Sequence, residues 1–249
     1  MTAGPVAPQP RAPGHQVKPW RRRLTRWAAA LAIAALALPP AQCLLLNWVD
    51  PPWTGTMLQR SLQNGWAGAG WSLPAYRWTD LEDLPRSLPT SAMSSEDRSF
   101  LHHDGFDWVS IRRAWGRYRN RPGSRLVGGS TISQQVARNV FLVQHRSWLR
   151  KGLEAWYTVW LEATVSKRRI LEVYLNVAEM GPMVFGAEAA ARHWYGKSAK
   201  DLSSAQSAAL IGLLPSPRRW TPKSPHVQRR ATWILRSPVS FPKSLMPDS

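Results

Sequence analysis

The chain has 249 residues, 44% hydrophobic and only 19% charged, so it can bury one sizeable core, or a core and a small lobe, and a single catalytic domain is the simplest expectation. Its 33 Lys and Arg against 15 Asp and Glu give a net charge of +18, which implies an anionic partner: nucleic acid, an anionic membrane surface or a phosphorylated substrate. The single cysteine, Cys43, excludes an internal disulfide and leaves the redox compartment open.

The N-terminal region predicts a membrane anchor. A basic stub, residues 1–26, ends in an arginine cluster and is followed by the uncharged apolar stretch Trp27–Val49. At about 1.5 Å per residue this stretch spans roughly 30 Å, enough to cross a bilayer. The arginines before it predict a cytoplasmic N-terminus, with everything after Asp50 outside the cytoplasm. Nucleic acid is therefore excluded as a partner.

Two other interpretations of this segment stay open. Ala35-Leu36-Ala37 resembles a signal-peptidase site, which predicts cleavage, and Cys43 suggests a lipoprotein, although Gln42 is large for a lipobox. The apolar run Leu44-Leu45-Leu46 and the interfacial aromatic Trp48 extend past the cleavage site. They favour an uncleaved anchor.

The segment from Asp50 to Leu88 is dense in Pro, Gly and Trp, which predicts loops and one short helix around Thr56–Asn64. The chain has 15 Trp in all, a high number for its length. Tryptophan suits the membrane interface, although packing in a core is its commoner use. A domain that lies against the bilayer is consistent with this composition.

Beyond Leu88 the signals become helical. Ser94 or Ser95 is expected to cap a helix that begins with Glu96-Asp97, where acidic side chains complement the helix dipole. On that interpretation Glu96 is only a solvated carboxylate at a helix start. The aromatic, imidazole and acidic residues of Phe100–Trp108 are too closely spaced for a routine helix start. Apolar residues at helical spacing then predict a helix over Ile111–Tyr118.

No acidic residue occurs between Asp107 and Glu154, while basic residues fill the gap. A carboxylate beside such a region suits proton transfer next to a phosphate or pyrophosphate. In its middle, Gly128–Thr131 predicts a mobile polar loop, and the helix over Gln134–Asn139 would offer backbone N–H groups to an anion. The basic residues are Arg112, Arg113, Arg117, Arg119, Arg121, Arg125, Arg138, Arg146, Arg150 and Lys151.

The C-terminal half predicts further helices. A long amphipathic stretch runs through Trp148–Val177, a second helix covers Ala187–Trp194, and a last apolar helix covers Ala205–Leu214. No β alternation is long enough for a sheet. The adjacent His102-His103 cannot both face one metal, and no His or Cys cluster has the spacing of zinc ligands.

Several of these segments resemble the signature motifs of the peptidoglycan glycosyltransferases, a lysozyme-like family. The resemblance covers about residues 50–236 in order, and it is greatest to the monofunctional members of Gram-negative bacteria, because no residues remain after Ser249 for a transpeptidase domain. The matching segments are Glu96–Gly105, Gly128–Gln135 with Ser133 where Thr is usual, Arg150–Glu154, Ser166–Asn176 and Ala208–Pro217.

The resemblance implies a mainly α fold, in which a lysozyme-like helical head carries a small membrane-associated jaw and is preceded by one N-terminal transmembrane helix. The Trp-rich segments near the anchor, or those following Gly105, are candidates for the jaw. It also implies a single-pass protein of the bacterial inner membrane, with a cytoplasmic N-terminus and a periplasmic catalytic domain. The expected segments are a stub (1–26), an anchor (27–49), a glycosyltransferase domain (50–236) and a C-terminal tail (237–249).

Enzymes of this family polymerise lipid II, transferring the growing glycan from undecaprenyl pyrophosphate to the GlcNAc 4-hydroxyl of the next lipid II. The resemblance makes Glu96 the general base, and Arg138 and Arg146 the residues at the pyrophosphate. Arg138 stands where Lys is common, and Leu153 stands where some relatives have a basic residue. The implied catalytic residues are Glu96 and Glu154, and the implied substrate-binding residues are Ser130, Gln135, Arg138, Arg146 and Lys151.

The role of Glu154 stays open between orienting the substrate, assisting the leaving group and holding a divalent cation, Mg²⁺ or Mn²⁺. No other cofactor is implied. Other cell-wall synthesis or division proteins are further candidate partners. Two alternative functions are a lysozyme-like peptidoglycan hydrolase, which would not need the arginine-rich gap, and a non-catalytic scaffold that binds anionic lipid, which would not need the glutamate and Gly-Gly-Ser-Thr signatures.

Overall fold

The computed structural model describes residues 19–68, 70–120, 129–145, 147–242 and 245. These residues are mainly helical, which confirms the predicted class. The helices are α1 (Pro19–Leu45), α2 (Gly55–Trp66), α3 (Ser87–Glu96), α4 (Trp108–Asn120), α5 (Ile132–Phe141), α6 (Trp148–Thr164), α7 (Lys167–Val177), α8 (Ala187–Tyr195), α9 (Ser204–Gly212) and α10 (Pro225–Arg236). The likeness to lysozyme and the membrane-associated jaw stay predictions.

A small three-stranded sheet accompanies the helices. Its strands are β1 (Ala75–Tyr76), β2 (Glu179–Gly181) and β3 (Val184–Phe185), in the order β1-β3-β2. Strand β1 pairs with β3 in parallel, and β2 pairs with β3 antiparallel. The expectation that no sheet forms is therefore wrong, because strands of two or three residues are too short to show an alternating pattern.

Helix α1 contains the anchor. Among the described residues, its segment Arg26–Leu45, with a mean hydropathy of 1.9, is the one helix long and apolar enough to cross a membrane. The helix ends at Leu45, within the predicted anchor segment 27–49. Its end is capped by Asn47, whose Nδ2 donates to the carbonyls of Leu44 and Thr164, each at 3.0 Å. Carbonyls at a helix end need such donors because they have no partner within the helix.

The chain divides into two compact units, residues 1–38 and 39–249. The last turns of α1 belong to the second unit and are part of its core. Cys43 is fully buried and Leu46 nearly so. The Tyr157 hydroxyl of α6 donates to Gln42 Oε1 at 2.6 Å. The residues of α1 from Pro39 onward are therefore packed into the core of the second unit.

Two shortened chains test this packing. A chain that begins at Pro39 is expected to keep the free energy of unfolding of the second unit, whereas one that begins at Asp50 loses the buried Cys43 and Leu46. Burial of a leucine side chain contributes about 1.5–3 kcal/mol and burial of the smaller cysteine contributes less, so the expected loss is about 2–4 kcal/mol. Denaturant unfolding of both chains in the same detergent measures the difference. Equal midpoints would show that the anchor does not stabilise this unit.

The core of the second unit is formed around α7, whose Ile170, Leu171, Tyr174 and Leu175 are completely buried. Helix α5 packs against both α6 and α7, and α3 packs against α9 and α10. The prediction of one continuous amphipathic stretch over Trp148–Val177 is wrong, because the segment forms two helices, α6 and α7.

The break between α6 and α7 has a local cause. Val165 is extended, with φ −122° and ψ 133°. The side chain of Ser166 then accepts a hydrogen bond from Arg169 N at 3.2 Å and caps α7. A Ser that follows an apolar run is a common helix start, so the signal was present in the sequence.

Helix α10 contradicts the prediction that the helix over Ala205–Leu214 is the last. The predicted segment forms α9, capped by Ser203, and α10 follows it. Its sequence signals are a serine and then Pro225 at the first position, with buried Val227, Ala231 and Ile234 at helical spacing. Helix α10 brings new side chains to the site described below.

Candidate active site

Glu96 is the last residue of α3, so the prediction of a helix that begins at Glu96-Asp97 is wrong. Ser94 and Ser95 lie in the last turn of that helix instead of capping a new one. The helix forms earlier because Leu88 and its apolar neighbours are buried against α9 and α10. Glu96 is thereby held at the end of a packed helix, with its side chain 15% exposed.

The Glu96 carboxylate receives hydrogen bonds from three other side chains. Its Oε1 accepts from Arg230 Nη2 at 2.6 Å and from Ser95 Oγ at 3.0 Å. Its Oε2 accepts from Gln135 Nε2 at 3.2 Å. The contact between Glu96 and Gln135 joins two residues that the sequence predicted for the site. The donors are an amide, a hydroxyl and a guanidinium, which are the groups that an ionised carboxylate accepts from.

The neighbouring Asp97 is buried and organises the loop around the site. Both of its oxygens lie 3.0 Å from His103 Nε2, and its Oδ2 also accepts from Ile132 N at 3.0 Å. The Nδ1 of His103 accepts from Gly105 N at 3.1 Å, so the proton of the neutral ring is on Nε2. The start of α5, which the sequence suggested for an external anion, is thus occupied by the Asp97 carboxylate of the chain itself.

Replacement of Asp97 with asparagine is expected to lower the free energy of unfolding by about 1–3 kcal/mol. If the amide oxygen accepts from Ile132 N, the amide NH₂ faces the Nε2–H of His103, and two donors meet. A change of tautomer at His103 would only transfer the conflict to Gly105 N. Denaturant unfolding of the variant measures the loss. A wild-type midpoint would show that this tautomer assignment is wrong.

A polar cleft of about 420 Å³ opens beside Glu96. Helix α4 contributes Arg113 and Arg117 to it, and the loop before α5 contributes Ser130. This loop is fixed by Thr131, which caps α5 by accepting from Gln134 N at 3.2 Å. The cleft is lined by Ser94, Ser95, Glu96, Asp97, Arg98, Ser99, Asp107, Ser110, Arg113, Arg117, Gly129, Ser130, Thr131 and Trp233.

A second, more apolar cavity of about 260 Å³ shares Gly129 and Ser130 with the polar cleft. Its lining includes Lys151 from α6, so Ser130 lies between the Glu96 cleft and the cation of α6. The cavity is lined by Ile111, Ala114, Trp115, Gly129, Ser130, Gln134 and Lys151. The polar cleft beside Glu96 therefore adjoins a region with cationic and apolar character.

The pKa values of two side chains, Asp107 in the cleft and Tyr174 beneath it, are shifted by their surroundings. Burial raises the pKa of Asp107, but hydrogen bonds from Ser110 and Ser99 outweigh it and hold this pKa below its ordinary value. Asp107 is therefore an anion that faces the cleft arginines. Beneath the site, burial and secondly the charge of Glu96 raise the pKa of Tyr174 well above its ordinary value.

Arg138 lies on α5 one turn after Gln135, and it acts on Tyr174 in the opposite direction to Glu96. Its Nε donates to Asn139 Oδ1 at 3.5 Å. Arg138 and Glu96 therefore both lie close enough to Tyr174 to affect its pKa. Arg146, the other arginine predicted for the pyrophosphate, and Gly128 of the predicted loop lie outside the described residues.

Glu154 is completely buried in α6, and it lines neither of the two cavities. Arg150 Nη1 donates to its Oε2 at 2.5 Å, and Lys151 Nζ donates to its Oε1. Both oxygens are therefore paired with cations, and Lys151, 41% exposed, is the member of this group that reaches the apolar cavity.

This arrangement does not fit a divalent cation at Glu154. A site for Mg²⁺ or Mn²⁺ needs several oxygen ligands, and two positive side chains repel a metal ion. Within the described part of the chain, no group of three His, Cys, Asp or Glu residues could hold a metal.

Helix α10 supplies two residues that the sequence did not predict for the site, Arg230 on Glu96 and Trp233 on the wall of the cleft. Trp233 is about half exposed, and the guanidinium of Arg98 lies 5.9 Å from its ring centre. The position of α10 could have been predicted from its apolar spacing, but its contact with Glu96 could not, because the two residues are 134 positions apart.

Comparison with known proteins identifies the family to which the chain belongs. The sequence profile of the family described as Transglycosylase matches residues 72–239. A protein of Xanthomonas oryzae pv. oryzae named Biosynthetic peptidoglycan transglycosylase is 49% identical over 221 residues, which are 88% of this chain and 89% of that protein. A protein of the same name from Xylella fastidiosa is 43% identical over 225 residues, 89% of this chain and 90% of that protein. The chain belongs to the transglycosylase family, which confirms the resemblance found in the sequence.

Proposed function

We propose that this protein is a peptidoglycan glycosyltransferase of cell-wall synthesis that polymerises lipid II. It transfers the growing glycan from undecaprenyl pyrophosphate to the GlcNAc 4-hydroxyl of the next lipid II. Family membership supports the reaction class. The observation that carries the assignment of residues is the carboxylate of Glu96, which is partly exposed on a polar cleft and hydrogen-bonded to Gln135 and Arg230.

Glu96 is the general base of this reaction. Its carboxylate takes the proton of the 4-hydroxyl while the hydroxyl oxygen bonds to the anomeric carbon of the donor. The bond between that carbon and the pyrophosphate oxygen breaks, and the electron pair leaves on the pyrophosphate. Positioned general bases contribute about 10²–10⁴-fold to a rate.

The leaving pyrophosphate is neutralised by basic side chains. Lys151 lines the adjoining cavity, and Arg138 and Arg146 complete the set by their match to the family motifs. Guanidinium groups bind phosphate oxygens in pairs, and cations aimed at a developing charge give large electrostatic stabilisation. Glu154 holds Lys151 by an ion pair, so it acts on this part of the site through its cationic partner.

The site lies beside surfaces that suit a lipid-linked substrate. Helix α4 exposes Trp108, Val109 and Trp115, and α6 exposes Trp148 and Leu149. Tryptophan and basic residues together are typical of a membrane interface, and these exposed faces form the proposed jaw. We further propose that α1 is a single anchor in the bacterial inner membrane, with the N-terminus in the cytoplasm and the catalytic unit in the periplasm; the apolar segment Arg26–Leu45 supports this topology.

A polymerisation assay tests the proposed function. The full-length protein in detergent is given labelled lipid II, and in parallel a finished, labelled glycan. We expect glycan strands to form from lipid II and the finished glycan to stay intact. Release of short fragments from the finished glycan would favour a hydrolase, and no change in either substrate would favour a scaffold that binds lipid without catalysis.

A further inference from the structure

Arg230 is the closest cationic partner of the proposed base among the described residues. Its Nη2 bridges two acceptors of α3, Glu96 Oε1 and Ser95 Oγ, each at 2.6 Å. The same nitrogen lies 3.5 Å from the carbonyl oxygen of Ser95. One guanidinium nitrogen therefore fixes both the last turn of α3 and one oxygen of the carboxylate.

The two oxygens of Glu96 are used unequally as a result. Oε1 accepts two bonds, from Arg230 at 2.6 Å and from Ser95 at 3.0 Å. Oε2 accepts one longer bond, from Gln135 at 3.2 Å. Since each carboxylate oxygen can accept about two hydrogen bonds, Oε1 is saturated and Oε2 keeps capacity for another proton donor. Oε2 is thus the oxygen available to the acceptor hydroxyl.

The helix that carries Arg230 is rigidly seated. Val227, Ala231 and Ile234 of α10 are buried, and the helix packs against α9 and α3. Adjacent to Arg230 on the same helix, Arg229 is exposed, and its Nη2 lies 2.9 Å from His226 Nδ1. Of these two neighbouring arginines, only Arg230 contacts Glu96, so Arg229 is a matched control for it.

We propose that Arg230 is a positioning residue for catalysis. It holds Oε1 of Glu96 so that Oε2 is presented to the acceptor hydroxyl, and it keeps a positive charge beside the carboxylate. The proposal rests on the proposed role of Glu96 as the base. A group that sets the geometry of a base affects the chemical step more than it affects substrate binding, because the substrate does not contact it.

The test compares Arg230→Met with Arg229→Met and Arg230→Lys in full-length protein, using labelled lipid II. We expect Arg230→Met to lower kcat by about 10–100-fold with KM within about threefold of wild type, because small misplacements of a catalytic group cost up to about 10²-fold. Arg229→Met should keep kcat within about twofold. Arg230→Lys, which retains the charge and can reach one acceptor, should recover a large part of kcat.

Three results would overturn the proposal: equal kcat for the two methionine variants, a rise in KM alone after Arg230→Met, or a fall in kcat that Arg230→Lys does not reverse. If Arg230→Met does not fold, as judged by denaturant unfolding, Arg230→Gln replaces it in the test. The proposal is then supported if Arg230→Gln folds and loses kcat while Arg230→Lys keeps wild-type kcat and KM. The failure of the proposed function gives a different result. In that case the wild-type protein does not polymerise lipid II, or Glu96→Gln polymerises it at the normal rate, and neither result depends on the rates of the Arg230 variants.

Discussion

Replacement of Glu96 with glutamine is expected to lower the rate of lipid II polymerisation by about 10²–10⁴-fold. The amide has the size of the carboxylate and can still accept from Arg230 through its oxygen, so α3 should remain in place. It cannot take the proton of the acceptor hydroxyl, and the reaction loses its base. Initial rates with labelled lipid II, together with the unfolding midpoint of the variant, separate this loss from a loss of folding.

Glu82→Gln is the matched control for Glu96→Gln. Glu82 is about half exposed and pairs with Arg168, and it lines neither cavity of the site. Exposed ion pairs of this kind contribute little to stability, so the control should polymerise lipid II at the wild-type rate. Normal polymerisation by Glu96→Gln would remove Glu96 from the role of base.

The helices whose signals are local could be predicted from the sequence. Apolar spacing placed α4 and α8, and the polar start of α5 was recognised by its Gly-Gly-Ser-Thr turn. These elements follow from a period of 3.6 residues and from caps within a few residues, which a single sequence displays directly. The motifs then linked these helices to a family, and the family profile confirmed that link.

The surroundings of Glu96 and Asp97 could not be predicted in this way. Ser94 and Ser95 have the residue types of a helix cap, yet tertiary packing of Leu88 starts the helix earlier and makes Glu96 its end. Asp97 caps a different helix, α5, through Ile132 N, 35 residues away. Such contacts depend on how helices meet in space, and no local pattern in one sequence specifies them.

The arginines of the acid-free gap have different surroundings in the structure, which the sequence did not show. Arg113 and Arg117 line the cleft, whereas Arg150 is committed to Glu154. Arg112 and Arg119 are exposed on α4, the helix that also exposes tryptophan. A region without acids therefore serves the cleft, an internal ion pair and the proposed membrane surface at once, and its net charge alone does not identify the substrate-binding residues.

Glu154 is buried and paired with two cations, and we propose that it acts through one of them, Lys151. Glu154→Gln and Lys151→Met are each expected to lower kcat/KM by about 10²-fold, the usual cost of removing one electrostatic stabiliser of developing charge. If the glutamate only holds the lysine, the double variant should be no slower than the slower single variant, because residues that act as a unit are not additive.

Glu188→Gln provides the matched control for this cycle. Glu188 is likewise a buried helical glutamate paired with a cation, Arg192, but it lines neither the polar cleft nor the apolar cavity next to it. It should lose stability without losing kcat/KM per folded molecule. Effects of Glu154→Gln and Lys151→Met that multiply in the double variant would instead mean that Glu154 acts on the substrate independently of Lys151. Since the Glu154 carboxylate is closed off from both cavities, such a result would require α6 to move when lipid II binds.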